Sequence, residues 1–242
     1  MTRLVGAELL KLRTTRTFWA LTGSAAALVL LIVVLSLILD DALDSEDEVE
    51  SLLATGGIGG LMTLVLGVVA AAGEYRHGTI ASTLLVTPQR IRAVSAAVIA
   101  CLLGGVFIGI AISAAIAVVA LPWLSANGAD LMPLGDTLEL FGGAILFAAL
   151  GGALGGALGA LFRNQVAAVV SVLVLIFVLD PTLSALVEDA APYTLSGLSS
   201  SLTGGDDGGI DTLSRGLAAL VWLGYTALLA GGAAFLTSRR DI

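Results

Sequence analysis

Residues 73–94 read GEYRHGTIASTLLVTPQRIRAV, the most polar continuous piece in the first half of a chain that is otherwise almost wholly apolar. The segment carries Glu74, His77, three arginines, two glycines and Pro88, with a long apolar run on each side. Its punctuation predicts local order. Gly78 breaks a preceding helix, Thr79–Val86 can form two helical turns with Ile80 and Leu84 on one face, and Thr87–Pro88 reads as an N-cap followed by proline at the first position of a new helix. That new helix runs through Arg90 and Arg92 into the next apolar run. Helix–helix connections usually take about 2–8 residues, whereas residues 74–92 form a much longer, structured link. A docked partner is the economical reason for one.

The flanking runs set the class. The chain has 242 residues, 57% hydrophobic and 12% charged, with a mean hydropathy of +1.03. A soluble domain needs roughly a quarter charged residues, so most of this chain faces lipid or lipid-buried protein. Six stretches are long and apolar enough to span: 18–39, 52–73, 93–121, 137–162, 166–187 and 213–237. None alternates as a barrel strand does. The predicted fold is therefore an all-α integral membrane protein with six transmembrane helices in a single domain. The first span is too long for a signal-peptide core and no small-residue cleavage site follows it.

Basic residues predict the orientation. Arg3, Lys11, Arg13, Arg16, Arg76, Arg90, Arg92, Arg163, Arg239 and Arg240 fall on one side, and only Arg215 on the other. Both termini and residues 74–92 are then cytoplasmic, while DDALDSEDEVE at 40–50 and residues 188–212 lie outside. The net charge of −8 sits mostly in those outer acidic segments. The distribution argues against nucleic-acid binding and for ordinary positive-inside anchoring, and the 40–50 loop reads as a solvated spacer more readily than as a docking site for cations or basic peptides.

Span four, GGAILFAALGGALGGALGALF at 142–162, places Gly151, Gly155 and Gly159 four residues apart, with Gly152, Gly156 and Ala160 as a neighbouring row. Small residues at that spacing bring helix backbones together in lipid, either inside the chain or at a dimer seam. Asp180 and Pro181 interrupt the end of span five, making them a possible outer-gate pair, since an acid at membrane depth is a functional candidate. The stretch that follows, to residue 212, is too apolar for a plain loop and suits interfacial or re-entrant helices. At the start, Val5, Leu9 and Leu12 share one helix face with Arg3 and Lys11 nearly opposite. That pattern fits either an interfacial helix on anionic lipid or simple basic anchoring of span one, with Trp19 at headgroup level.

On GEYRHGTI…LLVTPQRIR and AELLKLRTTRTFW, the chain resembles permease subunits of type-2 ABC exporters, the small bacterial six-span form. The likeness extends to span count, cytoplasmic termini and the long link between spans five and six. It implies that residues 74–92 carry a coupling helix, from about Thr79 to Val86, that docks a separate ATPase subunit. Glu74, Arg76, Gly78 and Thr79 match the family's acid–x–basic–x–Gly–Thr pattern, and Ile80, Leu84 and Leu85 offer apolar anchors. The resemblance further implies a bacterial cell membrane, re-entrant helices within 181–212, and half a transport path completed by a second copy or a sister permease. No G-x-x-x-x-G-K-[ST] occurs and Lys11 is the only lysine. ATP and magnesium would thus be bound by the partner, leaving this chain non-catalytic and without a cofactor, metal or catalytic residue of its own. The cargo would be exported, with an amphipathic, lipid-like or peptide/antibiotic molecule as the expected class.

Three other classes compete. A secondary transporter wants ionisable groups near mid-membrane and internal repeats, and the spans offer almost none. An intramembrane protease needs a serine–histidine pair or several zinc ligands, but the one histidine, His77, is in the cytoplasmic link and the one cysteine, Cys101, is in an apolar run. A structural or immunity-type membrane protein working without ATP remains.

Overall fold

The computed structural model describes residues 1–39, 46–76, 90–129, 131–162, 164–204 and 212–239. Of these, 93% are helical, and there is no strand among them. Six helices are long and apolar enough to cross a membrane. The chain is an all-α, multi-pass membrane protein.

Helix α1 (Thr2–Thr14) is separated from α2 (Arg16–Leu39) by one extended residue, Thr15. Hydroxyl-to-carbonyl bonds from Thr14 and Thr15 to Lys11 close the elbow. Trp19 Nε1 donates to the Arg13 carbonyl across it, at 2.8 Å. The second span is assembled from α3 (Glu46–Ala54), a tight turn at Thr55–Gly57, and α4 (Ile58–Arg76), so it starts earlier and ends later than its apolar run alone indicates. Helix α5 (Arg90–Asn127) continues through Pro122 and stops where Gly128 takes φ +76. Helix α6 (Leu134–Phe162) is the fourth span. The fifth is α7 (Gln165–Val174), a wide turn at Leu175–Leu179, and α8 (Asp180–Leu186). Pro181 has no N–H to give the preceding turn, and the helix widens there before resuming. Helix α9 (Leu195–Thr203) precedes the last span, α10 (Arg215–Arg239).

The described ends pair as alternating spans require. Lys11 meets Glu74, Arg76 meets Gln165, and Val94, Ala160 and Ala233 cluster, all at one end. At the opposite end Arg215 pairs with Glu139, and Gly57 abuts Thr203.

Helix α6 is the axis. Of its membrane-length window 78% is buried, against 17% for the fifth span and 22% for the last. An apolar helix buried on all sides belongs in the middle of a bundle, and its glycines let neighbours approach to backbone contact. A Cβ at Gly151 would stand 2.6 Å from the Gly60 carbonyl oxygen, and one at Gly159 would stand 2.6 Å from that of Val68. At Gly155 it would fall on the Leu64 carbonyl oxygen and come within 3.0 Å of Val68 N. The row 151–155–159 is therefore filled by α4. The neighbouring row faces α5: Gly152 lies against the Cys101 carbonyl, and a Cβ at Gly156 would stand 3.0 Å from Cys101 Sγ. Both rows are used inside the chain. Thr63 Oγ1 donates to the Ala148 carbonyl at 2.7 Å, and Trp222 Nε1 to that of Leu150 at 3.0 Å. The Trp222 ring stands edge-on to Phe147, with centroids 5.2 Å apart.

Close approach on one side of α6 and open space on another yields a paired test. Gly155→Ala should destabilise the bundle by about 1–3 kcal/mol or more, the usual cost of overpacking. At Gly142, on the same helix, a methyl group would meet nothing within 4 Å, so Gly142→Ala should be neutral or slightly stabilising. Thermal unfolding in mild detergent measures both; equal shifts would contradict the packing.

Candidate functional site

At the end of the bundle where α1, α4 and α5 meet, three charged side chains converge. Helix α1 lies along α5, and its packed side is not the purely apolar one that its sequence spacing indicates. Glu8 is its most buried residue, 9% exposed. Lys11, one turn on, also turns inward. Its Nζ donates to Glu8 Oε1 at 2.6 Å and to Glu74 Oε1 at 2.8 Å. Glu74 belongs to the last turn of α4, so one ammonium ties the N-terminal helix to the point where the second span ends. Arg3, Arg13 and Arg16 remain exposed. They, rather than Lys11, supply the outward basic surface.

Two carboxylates here meet one ammonium. Burial pushes the Glu8 carboxyl up to about 7; the Lys11 hydrogen bond opposes this, and the Glu74 charge adds to it. Burial also works against the Lys11 ammonium, but its bonds to Glu74 and Glu8 outweigh that and hold its pKa above the ordinary value. Two residues beyond Glu74, Arg76 donates to Gln165 Oε1 at 3.0 Å, joining α4 to the start of α7. Asn164 caps that start by accepting from Val166 N at 3.0 Å and Ala167 N at 3.2 Å.

Of the residues expected to couple to a partner, Glu74 and Arg76 stand in this junction. Gly78, Thr79, Ile80, Leu84 and Leu85, with His77, Thr87 and Pro88, lie outside the described residues, as does most of the 40–50 acidic stretch. Helix α4 delivers the chain at Arg76 and α5 receives it at Arg90.

Asp180, expected from its depth as a possible outer-gate residue, caps a helix in the structure. It is 7% exposed, and its carboxylate accepts from Leu195 N and, at 3.1 Å, from Ser196 N. Thr194 Oγ1 accepts from Gly197 N at 3.3 Å. The first N–H groups of α9, which no helical carbonyl can satisfy, are thus met by two side chains, and a negative charge sits at the favourable end of that helix. At its other end Gly204 takes φ +77. In between, a Cβ at Gly143 would fall on the Leu202 carbonyl oxygen, which places α9 directly on α6. Pro181 lies beside Asp180 in a shallow recess with Leu61, Ser184 and Ser199.

The charged junction yields a pH prediction. A carboxyl whose pKa rises on folding, here from 4.5 to about 7, holds its proton more tightly in the folded chain. Its contribution to stability is then fully present below pH 4.5, falls as pH rises towards 7, and is flat beyond. Glu8→Gln should remove that component, so its unfolding temperature relative to the parent should improve between these two values. Lys11→Met should destabilise at neutral pH by about 1–4 kcal/mol, between the scales of exposed and buried pairs. Adding Glu8→Gln should recover part of that loss.

No protein-family model matches the chain, and no curated protein matches it.

Proposed function

We propose that the chain is the membrane-spanning permease subunit of an ATP-driven exporter of the type-2 ABC class, half of a transport path that docks a separate ATPase. The observation that carries this reading is the Lys11 clasp. It fixes an amphipathic N-terminal helix to the root of the 77–89 link through Glu74. A push delivered to that link is thereby shared by α1, α4 and α5 together, which suits a coupling element between a soluble motor and the spans.

The packing of α6 supports the other half of the reading. A path for cargo through the middle of this bundle would have to separate backbones already in contact at Gly151, Gly155 and Gly159. A path between two such bundles would not. Cargo would then move at a surface shared with a second copy or a sister permease, in two-fold geometry. The basic end, with both termini, faces the cytoplasm of a bacterial cell on this reading, and α9, seated on α6 at the opposite end, takes the place of a re-entrant outer helix.

Ile80, Leu84 and Leu85 are the anchors an ATPase groove would bury, each worth about 1.5–3 kcal/mol. Ile80→Glu with Leu84→Glu should abolish co-purification of the partner ATPase and stop export, while the permease still inserts. If the ATPase stays bound to the inserted double variant, the link only anchors to lipid and the coupling role falls. The chain alone should not hydrolyse ATP, and hydrolysis by the purified chain would overturn the assignment.

A further inference from the structure

Beside the carboxylate that caps α9 lies a recess of about 620 Å³, walled by Leu61 of α4, Ile176 of the wide turn, Pro181 and Ala185 of α8, and the start of α9. Its polar lining is Asp180, Ser184, Ser196 and Ser199. The protons of these groups are already committed. Ser184 Oγ donates to the Asp180 carbonyl at 2.9 Å, with Thr194 Oγ1 at 3.3 Å as a second acceptor. Ser199 Oγ donates to the Ser196 carbonyl at 2.7 Å. Thr194 Oγ1 gives its proton to the Ala191 carbonyl at 2.7 Å, so in the 3.1 Å bond between Thr194 and Ser196 the serine is the donor. The first N–H groups of α9 are taken by Asp180 and Thr194. What remains is acceptor capacity. A carboxylate has about four acceptor sites and a hydroxyl oxygen two, whereas Asp180 receives the N–H groups of Leu195 and Ser196 alone.

We propose that this recess binds the primary ammonium of an amphiphile, its N–H groups bonded to Asp180 and the serine oxygens and its apolar body laid on Leu61, Ile176 and Pro181. An anion or a carbonyl would need a donor, and the described lining groups have none to spare. An ammonium brings only donors, and its bond to a carboxylate is charge-assisted. The N-terminus of α9 offsets part of the Asp180 charge without a further N–H to offer. Among the described residues no cationic side chain pairs with Asp180. Arg215, the one basic residue at this end, pairs with Glu139. The site needs only the folded chain in lipid, so it does not depend on the ATPase or on the family assignment.

The test is photolabelling of the full-length chain in phosphatidylcholine nanodiscs with decylamine carrying a diazirine in its chain, mapped by mass spectrometry. Adducts should concentrate on Leu61, Ile176 and Ala185. Excess decylammonium should suppress them, decyltrimethylammonium, which has no N–H, should do so far less, and decyl sulfate should not. Ser184→Ala with Ser199→Ala removes two acceptors and leaves the Asp180 cap in place. It should lower labelling about tenfold, the loss expected when hydrogen bonds to a charged group go. Competition by phosphatidylethanolamine added to the disc would assign the ammonium to a lipid headgroup, and its absence to a diffusing amine; both support the site. Labelling spread evenly over the lipid-facing helices, or equal suppression by the sulfate or the quaternary amine, would overturn the proposal, as would unchanged labelling of the folded serine variant. The competition in the unchanged chain decides this even where the variant fails to fold.

Discussion

Contact between helix backbones along α6 is the constraint on which the rest of the structure depends. In lipid there is little hydrophobic gain in bringing two apolar helices together, so association rests on van der Waals fit and a few hydrogen bonds. Glycine permits that fit. With Gly151, Gly155 and Gly159 against α4, Gly152 and Gly156 against α5, and Gly143 against α9, one helix fixes the positions of three others. Polar side chains then bond to carbonyls of this close-packed axis, as Thr63 and Trp222 do.

That axis accounts for where the polar groups end up. A bundle filled by backbone contact has no room for charge along its centre, and the notable buried acids sit at its two ends. Glu8 and Glu74 gather Lys11 where α1 crosses the ends of α4 and α5. Asp180 caps α9 at the other end, next to the wide turn that precedes Pro181. Arg215, the lone basic residue at that end, is answered by Glu139 of α6. The buried ones among these charges, Glu8 and Asp180, are paired or hydrogen-bonded, as low-dielectric surroundings demand. The Lys11 cluster differs from the other two in combining a raised carboxyl with an adjoining cavity.

Much of the architecture is legible in the residues, for particular reasons. Six spans follow from apolar length, and their alternation from the basic residues, because both are one-dimensional properties. The glycine rows of span four indicate close packing, but spacing on one helix does not name the helix opposite, so the choice between an internal and an intermolecular seam needs coordinates. Asp180 is visible as an acid at depth. Its role as a cap is not, since Leu195 and Ser196 are brought to it by the turn between α8 and α9. Glu8 does not stand out in the sequence, because α1 reads as amphipathic with Val5, Leu9 and Leu12 inward. Glu8 faces inward to pair with Lys11, which Glu74 of α4 holds in place, a tertiary fact. The start of span two is hidden for a related reason: α3 is acidic, and its continuity with α4 runs through a tight turn at Thr55–Gly57 rather than through apolar residues.

The claim that α6 is gripped by α4 of its own chain is tested most directly by a disulfide at the turn that leads into α4. A Cβ at Gly56 would stand 3.8 Å from the Ala144 Cβ, within the separation a disulfide requires. Gly56→Cys and Ala144→Cys, introduced together with Cys101→Ser, should cross-link on mild oxidation in lipid within a single chain, leaving its mass on a non-reducing gel that of one chain. Cross-linking between two chains, or none in a folded double variant, would contradict the account.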